Sequence, residues 1–317
     1  MTMGISISIS LSLRCRSAMI GLVLLSAAGS VLAERFQFAA IGDVPYTSPA
    51  QLDRLVQRVN ALPVRFTIHV GDIKSGSTVC SDDTFEAVKR QFNAFDQPLI
   101  YTPGDNEWTD CHRKNNGPYD PLERLQKLRQ IFFGTNLSLG QHALVLDTQS
   151  QDEAFREFSE NRRWHTKTVT FATVHLVGSN NNWQPELPSS SEFSKRNDAN
   201  IAWMRSTFAA AKKNAHHAVV LAMQADTSYQ DPRVKASGVA QWLDAFRQEA
   251  LAWGKPVLLI QGDTHEFTVD RPFETSDPAL AHVQRLIVPG EQTAAAVVID
   301  VDTSNASEPF SLRLQQP

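Results

Sequence analysis

The sequence predicts an α/β fold. Short apolar runs alternate with stretches of helical periodicity, the pattern of parallel strands joined by helices. Four of the runs end in the same dipeptide, Gly-Asp. The chain has 317 residues, 42% hydrophobic and 20% charged, a globular balance that can bury one continuous core.

Residues 36–41 form the first apolar run and lead into Gly42-Asp43. Ser48 is placed to cap a helix carrying Leu52, Leu55, Val56 and Val59 at helical spacing. A second strand at 66–70 ends in Gly71-Asp72, and a helix comes next at 85–95. A third strand at 98–102 enters Pro103-Gly104-Asp105. This order implies parallel pairing with right-handed crossovers. Loops at the carboxyl ends of such strands carry the ligand site. A helix is predicted over 121–132. Strands fall within 141–178, clearest at 166–177, where β-branched residues alternate with others. Helices at 197–211 and 237–253 bracket a strand at 218–222, which enters Met223-Gln224-Ala225-Asp226. A strand at 257–260 runs into Gln261-Gly262-Asp263-Thr264-His265. The tail, 283–314, has three β-rich runs expected to complete a second sheet.

Residues 1–33 read as a signal peptide. Arg14 and Arg16 supply positive charge, 18–28 is mostly apolar or small, and Val31-Leu32-Ala33 sets small residues before a cleavage point at Glu34. Ser26, Gly29 and Ser30 interrupt the run too early for a membrane anchor. Cleavage would leave 34–317 as a single domain, periplasmic or secreted. It would move the formal charge from −4 to −6, because the two arginines leave and no acid does. No basic stripe suggests a nucleic-acid partner. Of three cysteines, Cys80 and Cys111 would remain, an even pair that suggests a disulfide in an exported chain.

Asp43, Asp72, Asp105, Gln224, Asp263 and His265 each follow a predicted strand, so the fold collects them at one sheet edge. One Gly-Asp is an ordinary turn. Four of them converging would force some carboxylates to protonate unless a cation binds. Hard oxygen ligands with one imidazole suit Mn, Mg, Fe or Ca more than Zn.

This order resembles the calcineurin-like metallophosphoesterase superfamily, whose pattern runs D-x-H, G-D, G-N-H-D/E, a lone His, and G-H-x-H. The counterparts are Asp43-Val44-Pro45, Gly71-Asp72, Gly104-Asp105-Asn106-Glu107, Gln224 and Gly262-Asp263-Thr264-His265. The resemblance spans nearly all of the chain after the leader. It implies a two-sheet β-sandwich flanked by helices and one or two divalent ions. Asp43 and His265 would hold the first ion, and Asp72 would bridge. Asp105, Gln224 and Asp263 would hold the second. It further implies hydrolysis of phosphate mono- or diesters by a metal-held hydroxide, with a small phosphorylated molecule as substrate.

The departures shape that expectation. Pro45 stands where the family often has an imidazole ligand. Asn106 replaces a catalytic His and can donate a hydrogen bond but no proton. Gln224 and Asp263 replace imidazoles with oxygen ligands. The runner-up reading is therefore a metal- and ligand-binding protein with weak or no turnover. His112 is a candidate replacement proton donor. Asn180 and Asn181, in the polar turn 179–182, are candidates for substrate contact. Lys74 and Arg113 read as solvated loop charges, or as attractors for an anion. Trp108 either packs under the loop or stacks on a leaving group. His69 and His175 read as core residues. Asp226 is an alternative to Gln224. If the second and third strands are neighbours, a Cys80–Cys111 bridge would stiffen the site rim.

Overall fold

The structure is a computed structural model that describes residues 1–4, 35–46, 48–184, 191–227 and 237–315. The leader read over 1–33 lies, apart from residues 1–4, outside the described residues. Contacts divide the chain into Met1–Leu32 and Ala33–Pro317, and the described sheets and helices belong to the second part.

Strand β1 (Arg35–Ile41) pairs in parallel with β2 (Thr67–His69), and β2 with β3 (Leu99–Tyr101). A second sheet takes β4 (Asp147–Thr148), β5 (Arg162–Thr166), β6 (Val169–Thr173), β7 (Ala218–Ala222), β8 (Val257–Gln261), β9 (Thr268–Asp270) and β10 (Val283–Ile287), in the order β4-β5-β6-β7-β8-β10-β9. Strands β11 (Ala296–Asp302) and β12 (Phe310–Gln315) return to the first sheet, whose order is β12-β11-β1-β2-β3. The tail is therefore divided: β10 joins the second sheet, while β11 and β12 extend the first. The run at 166–177 is also divided. Lys167 enters the left-handed region at φ 56° and turns β5 into β6 as a hairpin. The short edge strand β9 has no apolar alternation to announce it.

Helices form at the predicted stretches with shifted ends: 82–92 for the predicted 85–95, 191–213 for 197–211 and 240–253 for 237–253. Helix α1 (Pro49–Asn60) starts with Ser48 Oγ accepting the Ala50 N–H at 3.3 Å. It buries Leu52, Leu55, Val56 and Val59. Helix α2 (Asp82–Phe92) is capped by Ser81, and α3 (Pro121–Phe132) by Asp120. Helices α4 (Ser191–Lys213) and α5 (Ala240–Trp253) lie later in the chain, on either side of β7.

Three layers of apolar packing result. Helices α1, α2 and α3 cover the outer face of the first sheet, and α4 and α5 cover that of the second. Between the sheets, Phe38, Phe66, Trp164 and Phe171 pack with ring centroids 5.1–5.5 Å apart. Burying each such ring contributes about 1.5–3 kcal/mol. The candidate site lies where parallel strands of both sheets end.

Candidate metal centre

Each Gly-Asp turn ends a parallel strand. Asp43, Asp72 and Asp263 sit in the left-handed region, with φ of 54°, 57° and 73°, and His265 has φ 62°. Asp and His enter this region more readily than most residues, but it still costs about 1–2 kcal/mol per residue. The loops brace one another against that cost. The Asp43 N–H donates to the Gly71 carbonyl, and the Gly262 N–H to the Gln224 carbonyl, both at 3.0 Å.

Asp43, Asp72 and His265 come together, each offering one ligand atom within 4.8 Å of the others. Asp43 is fully buried. Its Oδ1 accepts the Asp263 N–H at 3.2 Å and lies 3.3 Å from His265 Nε2. Its Oδ2 is buried with no hydrogen-bond partner among the described residues. Burial pushes the Asp43 carboxyl up, against the lowering pull of His265. Asp72 is pushed well up by burial and by the charges of Asp105, Glu107 and Asp43. His265 is raised by its hydrogen bond to Asp43.

Donors aim at Asp72. Its Oδ2 accepts Tyr46 Oη–H at 2.7 Å and the Asn106 amide at 2.9 Å, and its Oδ1 accepts the Asn106 N–H at 3.2 Å. The Asn106 amide also donates to Tyr46 Oη at 2.8 Å. Beneath lies Glu107, fully buried, whose Oε1 accepts the N–H groups of Gly104 (2.7 Å) and Asp72 (3.2 Å) and the Tyr101 hydroxyl (2.8 Å). Burial pushes Glu107 up to about 7, opposed by the Gly104 and Tyr101 hydrogen bonds and the Lys74 charge.

Asp105, Gln224 and Asp263 form a second group. Gln224 Nε2 donates to Asp105 Oδ1 at 3.0 Å and to Asp263 Oδ1 at 3.1 Å. Gln224 Oε1 accepts the Gly178 N–H. Ser179 Oγ lies 2.6 Å from Asp105 Oδ2 and 3.0 Å from Asp110 Oδ1. Asp263 has exposed surface, yet protein atoms crowd its carboxyl. That desolvation, with the charges of Asp105 and Asp43, pushes it up to about 7.

A known structure shares this architecture. A dimetal phosphatase from Danio rerio superposes with a TM-score of 0.54 at 10% identity, covering 89% of this chain and 98% of that one. This is the calcineurin-like metallophosphoesterase fold. A purple acid phosphatase from yellow lupin, Lupinus luteus, aligns at TM-score 0.49 and 8% identity over 90% of this chain and 54% of that one. A phosphatase from Mycoplasma pneumoniae aligns at TM-score 0.47 and 11% identity over 90% and 95%. No protein-family model matches the chain. No curated protein sequence matches it either.

On this calcineurin-like scaffold, the first position fits a divalent cation. Two buried carboxylates and an imidazole converge, and Asp43 Oδ2 has no protein donor among the described residues. A cation would also relieve the repulsion that raises Asp43 and Asp72. The second position fits poorly, because Gln224 turns a donor, not an oxygen, toward Asp105 and Asp263.

Of the other expected residues, Asn106 stands at the site, on Asp72. His112 is exposed; its ring Nδ1 lies 2.7 Å from the Thr109 carbonyl oxygen, and it makes no hydrogen bond to the carboxylates among the described residues. Asn180 gives its amide hydrogen to the Trp183 carbonyl and its oxygen to the Gly238 N–H. Asn181 is fully buried and spent on Arg196, Val177 and Gly238. Both amides hold the loop together. Asp226 pairs with Arg285 at 3.2 Å. Lys74 is buried and not a solvated charge: Nζ donates to the Asn106 carbonyl at 2.6 Å. Burial lowers it, and Glu107 and Asp72 oppose that. Arg113 pairs with Asp110 at 2.8 Å. Trp108 packs, fully buried, with the Arg196 guanidinium 5.2 Å from its ring centroid. His69 and His175 are buried core residues, bonded to Val44 and Glu160.

Tyr46, Glu107 and Ser179 are site residues to which motif reasoning assigns no chemical role of their own. Tyr46 is legible only as the last residue of Gly42-Asp43-Val44-Pro45-Tyr46, whose direction depends on the fold. Cys80 and Cys111 form a disulfide with Cα atoms 5.8 Å apart. Their sulfurs lie 3.6 and 3.7 Å from the Asn106 carbonyl oxygen. Having no S–H, they touch it as packing contacts.

Proposed function

We propose that this chain is an exported, metal-dependent hydrolase of phosphate esters. The observation that carries the reading is the convergence of Asp43, Asp72 and His265 with an unpartnered, buried Asp43 oxygen. These three residues would hold a divalent cation, with oxygen donors favouring Mn, Mg, Fe or Ca over Zn. The bound ion would supply Lewis acidity toward a phosphoryl oxygen and lower the pKa of water. Tyr46 and Asn106 orient Asp72 through three hydrogen bonds. Glu107 orients the backbone of the Gly71-Asp72 and Gly104-Asp105 turns. The Asn106 carboxamide cannot protonate a leaving group. Esters of acidic alcohols or phenols, whose leaving groups need no proton, are the fitting substrate class. The disulfide and the leader-like 1–33 support a periplasmic or secreted location.

The test is a metal-loaded assay with Mn, Mg, Fe, Ca and Zn against phosphomonoesters and phosphodiesters. Asp72→Asn is the control. Metal-dependent turnover should fall in that variant by more than the roughly 10–100-fold typical of losing an outer-shell partner. A second reading, metal and ligand binding without turnover, is favoured by Asn106, which spends its amide on Asp72 and Tyr46. A thermal shift on adding metal, with no turnover above Asp72→Asn, would decide for it.

A further inference from the structure

We propose that this chain holds a single metal ion, and that Gln224 and Ser179 replace the second cation with hydrogen-bond donors. The proposal rests on the metal-dependent reading above and deepens it.

The orientation of Gln224 is fixed by a partner that cannot change its role. A backbone N–H only donates, so the Gly178 N–H requires the Gln224 oxygen. The amide nitrogen must then face Asp105 and Asp263. Flipping the amide would set NH2 against N–H and leave oxygen against two carboxylates. An amide NH2 has no lone pair to give a metal. Its two hydrogens instead answer the two carboxylates. Ser179 adds a third hydrogen, given to Asp105 Oδ2 at the shorter of its two distances. Both Asp105 oxygens therefore already have protein donors.

Backbone crowds the two carboxylates on one side as well. A Cβ on Gly178 would lie 2.6 Å from Asp263 Oδ1 and 3.0 Å from Asp105 Oδ2, so the backbone of Gly178 itself lies against the two carboxylates. The backbone just beyond Gly178 is strained. Ser179, Asn180, Asn181 and Asn182 all have positive φ, between 47° and 56°. Four successive left-handed residues are a conformation that L-residues adopt only when the surroundings hold it. Arg196, fully buried, holds them by donating to the oxygens of Asn181, and Asn180 and Asn181 bond Gly238. This turn delivers the Gly178 N–H to Gln224 and the Ser179 hydroxyl to Asp105. By contrast, Asp43 Oδ2 in the first position has no such donor among the described residues.

The discriminating substitution is Gln224→Glu, which keeps the shape and the acceptor for Gly178 but removes the two donor hydrogens. The probe is Mn2+ alone, read by metal content, native mass spectrometry and electron paramagnetic resonance. The wild type should bind one Mn per chain with an uncoupled six-line signal. Gln224→Glu should bind two, with the spectrum of an exchange-coupled pair, and should lose thermal stability when metal is withheld. Circular dichroism checks that the variant folds. Two coupled ions in the wild type would overturn the single-ion inference while leaving the metal-dependent reading intact. A Gln224→Glu chain that holds one ion and loses no stability without metal would also overturn it. No bound Mn in the wild type would overturn both.

Discussion

Removing the Cys80–Cys111 bridge tests how the site rim is held. The two cysteines are 31 residues apart in sequence. Closing a loop of that length removes about 3.7 kcal/mol of chain entropy from the unfolded state at 25 °C. Both cysteines are fully buried, and their sulfurs abut the carbonyl of Asn106, to which Lys74 also donates. The double variant Cys80→Ala, Cys111→Ala should therefore lose about 3–4 kcal/mol. At about 2 °C per kcal/mol for a chain of this size, Tm should fall by about 7 °C. Urea unfolding of the variant against the oxidised wild type measures the first quantity, and calorimetry the second. The variant should also bind Mn2+ less tightly, because the Asn106 backbone that donates to Asp72 loses a brace. A stability difference under about 1 kcal/mol would refute the loop-closure reasoning. Two free thiols in the intact mass of protein purified without reductant would refute the bridge itself.

The geometry supports two further predictions. Glu160 is fully buried, and burial raises its carboxyl, but Arg129 at 2.6 Å and His175 at 2.8 Å outweigh that and hold it well below the usual range. Its folded value is depressed, so its stabilisation is present above the unfolded value of about 4.3 and lost as pH falls below it. Glu160→Gln should cost about 3–5 kcal/mol at pH 7, with the gap to wild type narrowing below about pH 4 in urea titrations; a gap independent of pH would contradict this. A Cβ at Gly262 would lie 2.7 Å from Asp43 Oδ2. Gly262→Ala should displace that oxygen and weaken Mn2+ binding by about 10–100-fold in calorimetric titration, with circular dichroism unchanged. Unaltered affinity would mean that Asp43 Oδ2 is not a ligand.

Much of the fold is legible in the sequence because its signals are local. Ser48 and Asp120 cap helices that begin directly after them, and α3 occupies 121–132 as predicted. The tail reads as one sheet but is split between two, because strand propensity does not encode a partner. Strands β10 and β11 read alike, yet one pairs with β8 and the other with β1.

The sequence by itself determined that Asp43, Asp72, Asp105, Gln224, Asp263 and His265 each stand just past a strand, because periodicity marks where strands end. The single sheet edge expected for them is corrected: Asp43, Asp72 and Asp105 follow strands of the first sheet, and Gln224, Asp263 and His265 follow strands of the second. Tertiary structure decided what each of those side chains does. Which end of Gln224 faces Asp105 depends on the Gly178 N–H, 46 residues away in sequence. Tyr46 reaches Asp72 across 26 residues, and Lys74 reaches the Asn106 carbonyl across 32. Asn181 is a core amide and not a surface contact because Arg196 on α4 claims it. Residue type states what a group can donate or accept. Only packing of the two sheets against each other states who receives it.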